Sequence, residues 1–149
     1  MYVSVWNLIW LALTFLAAPG AATAADDRLL GVWLTEGRDS KVEISRQGER
    51  YSGKVVWLAQ PEQDGAPVRD AKNASPALRD RPIMALEILS GFVRDESGGW
   101  RGGQIYSPRQ GRSYPAQLAL TDDDRLEITV QAGMFSKRVV WTRQGARSP

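Results

Sequence analysis

The stretch Arg125-Leu126-Glu127-Ile128-Thr129-Val130-Gln131 alternates strictly between polar and apolar side chains. Successive side chains of a β-strand point to opposite faces, so this pattern predicts a strand with one buried face and one face in water. Lys41-Val42-Glu43-Ile44-Ser45 repeats the alternation. Gln47-Gly48 then separates it from a β-branched and aromatic run at residues 51–58. These two runs predict a β-hairpin.

Eight strand-like runs follow one another along the chain, and turn-forming residues such as Asp122-Asp123-Asp124 and Gly133 separate them. They cover residues 29–35, 41–45, 51–58, 86–93, 100–106, 114–120, 126–130 and 139–142. The regular spacing predicts an all-β fold, a single antiparallel meander barrel of about eight strands. An open β-sandwich is the alternative.

One long polar segment, residues 60–82, interrupts this rhythm. Ser75-Pro76 is a typical N-cap and N1 pair, which predicts a turn of helix over about residues 76–80. A loop this long inside a compact domain is usually functional or mobile.

The N-terminal residues form a separate unit. Residues 1–25 carry no charged side chain, an apolar run ends before Pro19-Gly20, and Ala22-Thr23-Ala24 is an A-x-A cleavage signature. Residues 1–24 are therefore predicted to be a signal peptide, cleaved near Ala24 and Ala25 to leave a periplasmic or secreted protein. We expect one barrel domain at residues 25–145, a frayed tail at 146–149, and membrane contact only through the leader before cleavage.

The composition excludes several chemistries. The chain has no His and no Cys, which removes a Ser-His-Asp triad, a Cys nucleophile, a disulfide and a metal site built on imidazole or thiolate. It has no phosphate-binding glycine motif, and we predict no cofactor. The 19 basic residues nearly balance the 17 acidic ones, so nucleic acid is not an expected partner. A carboxylate pair among Glu36, Asp39, Glu43 and Glu87 is the remaining catalytic option.

The aromatic residues allow two interpretations: they fill the core, or some of them line a cavity at the barrel mouth. Tyr51, Val55 and Trp57 share strand parity and are expected on one face. The aromatic residues on predicted strands are Trp33, Tyr51, Trp57, Phe92, Trp100, Tyr106, Tyr114 and Trp141.

The function favoured by these features is binding of a small amphipathic or apolar, lipid-like molecule. The candidate ligand-binding residues are Trp57, Asp70, Lys72, Asn73, Arg79, Arg81, Tyr106 and Tyr114. The polar members of the long loop suit a carboxylate or phosphate head group. Internal pairing, of Asp70 or Asp80 with Arg79 or Arg81, is the structural alternative. The other function classes are an envelope protein-interaction or structural module, and a carboxylate-dependent hydrolase or isomerase.

Several motifs follow one another in order along the predicted domain. They are Gly31-Val32-Trp33, Tyr51-Ser52-Gly53-Lys54-Val55-Val56-Trp57-Leu58, Asp70-Ala71-Lys72-Asn73, Leu78-Arg79-Asp80-Arg81-Pro82, Trp100-Arg101-Gly102-Gly103-Gln104-Ile105-Tyr106-Ser107-Pro108 and Trp141-Thr142-Arg143. Together they resemble a bacterial family of exported proteins, domain of unknown function 2147. The resemblance implies small exported proteins with no assigned activity. The chain departs from it in having Ala85 for a glycine, Ser107 for an acid, and Ser136-Lys137-Arg138 for a Gly-Arg-Thr turn.

Gly31-Val32-Trp33 and Arg143 also resemble the calycin pattern of lipocalins and fatty-acid-binding proteins. That resemblance implies a barrel in which an arginine near the end of the last strand packs across the tryptophan of the first strand. Trp33 and Arg143 are accordingly expected to have a structural role, closing one end of the barrel.

Overall fold

The structure, a computed structural model, describes residues 28–145. The predicted signal peptide and the predicted tail at residues 146–149 lie outside the described residues. Within them no helix is long and apolar enough to span a bilayer.

The described chain forms ten strands, eight of which close into one antiparallel barrel. The strands are β1 (Gly31–Leu34), β2 (Ser40–Gln47), β3 (Arg50–Leu58), β4 (Glu62–Gln63), β5 (Ala66–Pro67), β6 (Glu87–Arg94), β7 (Trp100–Ser107), β8 (Arg112–Asp122), β9 (Arg125–Ala132) and β10 (Phe135–Gln144). Their order around the barrel is β1-β10-β9-β8-β7-β6-β3-β2, and β4 and β5 form a separate hairpin. The predicted meander barrel is confirmed. Because β1 pairs with both β2 and β10, the sheet is closed and is not an open sandwich.

The strand connections collect at two ends of the barrel because neighbouring strands run in opposite directions. The closed end carries the connections 48–49, 95–99 and 123–124, and the open end carries 35–39, 59–86, 108–111 and 133–134. The Gly48-Glu49 turn is tight: Gly48 has a φ of 61°, in the left-handed region that glycine adopts without steric cost.

Aromatic side chains pack the half of the barrel near the closed end. Trp33, Phe92 and Trp100 are completely buried, and Tyr51 meets Trp100 edge to face with ring centroids 5.9 Å apart. Gly103 makes room for Phe92, since a Cβ at Gly103 would stand 2.5 Å from Cγ of the Phe92 ring. In this half the aromatic residues are core residues.

Trp57 corrects the parity expected for β3. Val42 pairs with Val55 but Lys41 pairs with Trp57, so β3 holds one extra residue, Val56, at a β-bulge. The bulge shifts the alternation, and Trp57 turns outward, 40% exposed, with Nζ of Lys41 5.0 Å from its ring centroid. The expectation that Trp57 shares a face with Tyr51 and Val55 is wrong.

The long loop is more ordered than its composition suggests. It contains the β4–β5 hairpin, which the sequence did not predict, and a 3-10 turn at Pro76–Leu78 within the predicted helical turn. Ser75 precedes this turn, but its side chain makes no capping hydrogen bond. The two legs of the loop pair through hydrogen bonds from the Ile83 amide to the Val68 carbonyl (2.9 Å) and from the Asp70 amide to the Arg81 carbonyl (2.9 Å).

Candidate functional site

A cavity of about 850 Å³ opens at the open end of the barrel. Apolar side chains from the barrel and from the long loop line its deeper part: Leu58, Val68, Ile83, Ile105, Val130 and Val139. The aromatic core of the closed half lies beneath it. The barrel interior is therefore packed at one end and hollow at the other.

Charged and polar groups surround the mouth of the cavity. They come from the connections at the open end and from the start of β10, which lies at that end. They are Arg38, Asp39, Glu62, Arg109, Gln110 and Lys137. An apolar interior below a charged rim suits a molecule with an apolar body and a polar end.

Asp39 is the most strongly held charge of the rim. Its carboxylate accepts hydrogen bonds from the hydroxyls of Thr35 (3.0 Å) and Ser40 (3.2 Å), and it pairs with Arg109. Burial favours the neutral acid, but the hydrogen bonds from Thr35, Arg109 and Ser40 outweigh it and hold the pKa of Asp39 below its ordinary value. Asp39 is thus a fixed anion that positions Arg109 at the mouth.

Asp70 ties the long loop to the barrel wall. Its side chain is completely buried and accepts hydrogen bonds from the Tyr106 hydroxyl (2.6 Å), from Nδ2 of Asn73 (2.8 Å) and from Nε of Arg81 (2.9 Å). Burial, followed by the hydrogen bond to Asp70 and the charge of Asp70, raises the pKa of Tyr106. These side chains satisfy one another's hydrogen-bonding groups. The pairing of Asp70 with Arg81 is the internal pairing that the sequence leaves open as an alternative to ligand binding.

The other predicted ligand residues lie in different places. Tyr106 and Tyr114 line the cavity, and the Tyr114 hydroxyl contacts Gln110. Arg79 donates from Nε to the Asn73 carbonyl (2.8 Å). Lys72 is exposed, and Trp57 lies on the outer face away from the cavity lining.

Gly111 explains how the long loop reaches the β7–β8 connection. A Cβ at Gly111 would overlap the carbonyl of Lys72, and the Ala74 amide donates to the Gly111 carbonyl (3.1 Å). The segment around Asn73 therefore packs directly on that connection.

Sequence reasoning missed the rim groups Arg38, Glu62, Arg109, Gln110 and Lys137, and also Thr35, which donates to Asp39. Arg109 and Gln110 lie in a segment that the sequence identifies only as a separator between strands. The sequence indicates Asp39 only as one member of a carboxylate pair. Its partner Arg109 is 70 residues away along the chain, so no local motif joins them.

Of the four carboxylates considered for catalysis, Asp39 alone lines the cavity. Glu43 and Glu87 both lie beside Lys54 in the strand register, on exposed positions. Glu36 accepts a hydrogen bond from the Val140 amide (3.3 Å). The described residues contain no group of three or more acids, cysteines or histidines placed to hold a metal ion.

At the closed end, Arg143 lies over Trp33, with its Cζ 4.2 Å from the ring centroid. The guanidinium donates to the carbonyls of Leu30 (2.9 Å), Asp123 (2.8 Å) and Arg28, and the indole Nε1 of Trp33 donates to the carbonyl of Leu29 (2.9 Å). Gly31 has a φ of 118°, and a Cβ there would stand 3.2 Å from Nη1 of Arg143. The glycine of the Gly-Val-Trp motif therefore provides both the backbone conformation and the space for the arginine.

The comparisons with known proteins agree with this architecture. The family model described as an uncharacterized protein conserved in bacteria (DUF2147) matches residues 31–143. The chain belongs to the DUF2147 family. Its matched span begins at Gly31 and ends at Arg143, the residues that meet at the closed end.

The DUF2147 barrel is similar to a solved structure, protein HP1028 from Helicobacter pylori, which is described as belonging to the lipocalin family. The two share 21% sequence identity at a TM-score of 0.68, over 78% of this chain and 83% of that one. At this identity the likeness shows a lipocalin-like fold. No curated protein matches the sequence.

Two departures from the DUF2147 pattern acquire a structural meaning. Ala85, at a position where a glycine is expected, has a φ of 65°, a conformation that is strained for a residue with a Cβ. Ser107, at a position where an acid is expected, lines the cavity, and its carbonyl accepts hydrogen bonds from the amides of Gln110 (3.1 Å) and Gly111 (2.8 Å).

Proposed function

We propose that this DUF2147 domain binds a small amphipathic molecule in the open half of its barrel. The observation that carries the proposal is the cavity of about 850 Å³, apolar in its depth and charged at its mouth. Pockets that bind small molecules typically measure about 300–1,000 Å³ and combine an apolar lining with a few polar groups.

The rim carries three basic side chains, Arg38, Arg109 and Lys137, against the two acids Asp39 and Glu62, so it favours a ligand whose polar end is an anion. Asp39 already pairs with Arg109, whereas Lys137 lines the cavity and makes no salt bridge within residues 28–145. An anionic head group placed between Arg109 and Lys137 would meet positive charge while its apolar body lies against Ile105, Val130 and Val139.

We also propose that the protein performs this role outside the cytoplasm, in the periplasm or after secretion. The support is the uncharged apolar leader that ends at Ala22-Thr23-Ala24. Mass spectrometry of the purified protein tests this, because processing after Ala24 produces a chain that begins at Ala25.

Fluorescence of anilinonaphthalene sulfonate, an apolar ring system with one anionic group, tests the ligand site. Laurate and dodecanol, which have equal chain lengths, are then compared as competitors. We expect both competitors to displace the dye from the wild-type cavity. Laurate, which carries the anionic group, should do so at a lower concentration than dodecanol. Native mass spectrometry of protein taken directly from cells reports any molecule already bound.

A pair of double variants separates the cavity from the surface. Val130→Trp with Val139→Trp fills the cavity and is expected to weaken dye binding about tenfold or more. Gln131→Trp with Ser136→Trp places the same side chains at paired, exposed positions on the same strands and is expected to leave binding unchanged. Equal dye affinity in the two double variants, together with an empty barrel by native mass spectrometry, would overturn the proposal.

The envelope interaction module, favoured by the outward-facing Val56 and Trp57, would then be the stronger candidate.

A further inference from the structure

The turn between β9 and β10 carries two apolar side chains that are almost entirely in water. Met134 is 98% exposed and Phe135 is 79% exposed. Among the described residues, no other large apolar side chain is more than 42% exposed. We call Met134 and Phe135 the apolar tip.

The apolar tip stands beside the mouth of the cavity. Ala132 directly precedes the turn and Lys137 follows Phe135 by two residues, and both line the cavity. Phe135 pairs with Ala132 as the first rung of the β9–β10 ladder. Whatever surface the tip contacts therefore also faces the mouth.

Basic side chains from the neighbouring strands and connections surround the apolar tip. The barrel order places β8 on one side of the β9–β10 hairpin and β1 on the other. We call the basic residues at the open end of these strands and connections the basic arc; they are Arg38, Arg109, Arg112, Lys137 and Arg138.

The acids on the same arc are fewer and are already engaged. Asp39 pairs with Arg109, Glu127 pairs with Arg138 (3.1 Å), and Glu36 accepts the hydrogen bond from the Val140 amide. Arg38, Arg112 and Lys137 make no salt bridge with any of the described residues. The surroundings of the tip are therefore positively charged.

We propose that the apolar tip inserts into an anionic lipid surface, with the basic arc contacting the head groups. Exposed apolar side chains flanked by Lys and Arg are the combination with which proteins bind the interface of anionic bilayers. A stable contact with another protein, including a second copy of this chain, typically buries about 800 Å² per partner, which two side chains cannot supply. This interaction goes beyond the ligand site and does not depend on it.

Vesicle sedimentation tests the contact between the apolar tip and lipid. The protein used is purified from cells that express the whole sequence. The vesicles contain phosphatidylcholine alone or phosphatidylcholine mixed with phosphatidylglycerol. Wild-type protein is expected to bind the mixed vesicles and to lose binding as salt is added. The double variant Met134→Ser with Phe135→Ser is expected to bind about tenfold or more weakly. Val93→Ser changes an exposed apolar residue at the opposite end and is expected to behave as wild type.

The absence of cysteine from the sequence permits a second, local measurement. Met134→Cys and Val93→Cys each provide a single site for an environment-sensitive nitrobenzoxadiazole dye. Mixed vesicles are expected to shift the emission at position 134 to shorter wavelength and to leave the emission at position 93 unchanged. This readout reports insertion of the tip itself, whatever else in the chain contacts the vesicles.

Three results would overturn the proposal. They are an unchanged emission at position 134, equal vesicle binding by wild type and the serine double variant, and equal binding to vesicles with and without phosphatidylglycerol. Loss of a dimer in the double variant, seen by light scattering with vesicle binding intact, would assign the tip to a second copy instead. Dye binding in the cavity is measured on the same variants and is expected to persist, so failure of the tip does not count against the ligand site.

Discussion

The guanidinium of Arg143 lies over the indole of Trp33, 4.2 Å from Cζ to ring centroid, and the Arg143 side chain is only 5% exposed. The two residues come from the last and first strands of the barrel, which pair with each other. One arginine therefore covers the tryptophan and satisfies the main-chain carbonyls of Leu30 and Asp123. This arrangement makes the closed end the expected centre of stability.

Replacement of Trp33 by alanine tests that expectation. Trp33→Ala removes a completely buried indole and leaves Arg143 without its aromatic partner, so the free energy of unfolding is expected to fall by about 3–5 kcal/mol. Trp57→Ala deletes the same side chain from the outer face and is expected to cost less than about 1 kcal/mol. Urea unfolding measures both, and equal losses would contradict a closing role for Trp33.

Ala85→Gly is expected to stabilise the protein. The φ of 65° at Ala85 is strained for a residue with a Cβ, and glycine adopts it freely. After the greater flexibility of glycine in the unfolded chain is subtracted, the expected gain is about 0.5–1 kcal/mol. Ala119→Gly, at an exposed position of β8, is the control and should lose stability. A loss in both variants, measured by thermal or urea unfolding, would show that Ala85 is not strained.

Tyr106→Phe is expected to loosen the long loop. The change leaves one oxygen of the buried Asp70 without the Tyr106 hydroxyl, at a cost of about 1–3 kcal/mol. Tyr114→Phe removes a hydroxyl with an exposed partner, Gln110, and is expected to cost less than about 0.5 kcal/mol. Limited trypsin digestion after Lys72 and Arg79 provides a local readout. Cleavage should accelerate in Tyr106→Phe, and equal rates in the two variants would contradict the anchoring role of Asp70.

The pH dependence of stability is expected to include a contribution from Asp39. Its folded pKa lies below the ordinary value of 3.8, so its ionised form stabilises the fold above that value, and the stabilisation is lost as pH falls through the folded pKa. Asp39→Asn should therefore be less stable than wild type near pH 7. The difference should shrink when the pH is lowered from 7 to a value below 3.8. Urea midpoints of both proteins at the two pH values measure this, and a constant difference would exclude Asp39 as its source.

Most of the fold follows from local sequence patterns. The alternation at Leu126 and Ile128 identifies a half-buried strand without knowledge of its neighbours, and both side chains are buried. Trp57 shows where such reasoning fails. The bulge that turns it outward depends on how β3 pairs with β2, and no local signal in residues 51–58 reveals that pairing.

The candidate site was harder to predict than the fold. The polar residues of the long loop are close together in sequence and suggest a site, but their side chains mainly bind each other around Asp70. The mouth of the cavity combines connections that are far apart in sequence, such as the segments containing Asp39 and Arg109. Only the closure of the barrel brings them together. A site assembled in this way has no sequence motif of its own.

The division of the barrel into a packed half and a hollow half has a consequence for how such proteins diversify. The closed end carries the tight Gly48-Glu49 turn and the Arg143 contact, whereas the open end carries the 28-residue connection 59–86. Changes in loop length or charge at the mouth are therefore expected to act on the proposed ligand site while leaving the contact between Trp33 and Arg143 intact. Related barrels with different mouth loops are expected to choose different ligands while keeping this closed end, so the scaffold and its selectivity can evolve separately.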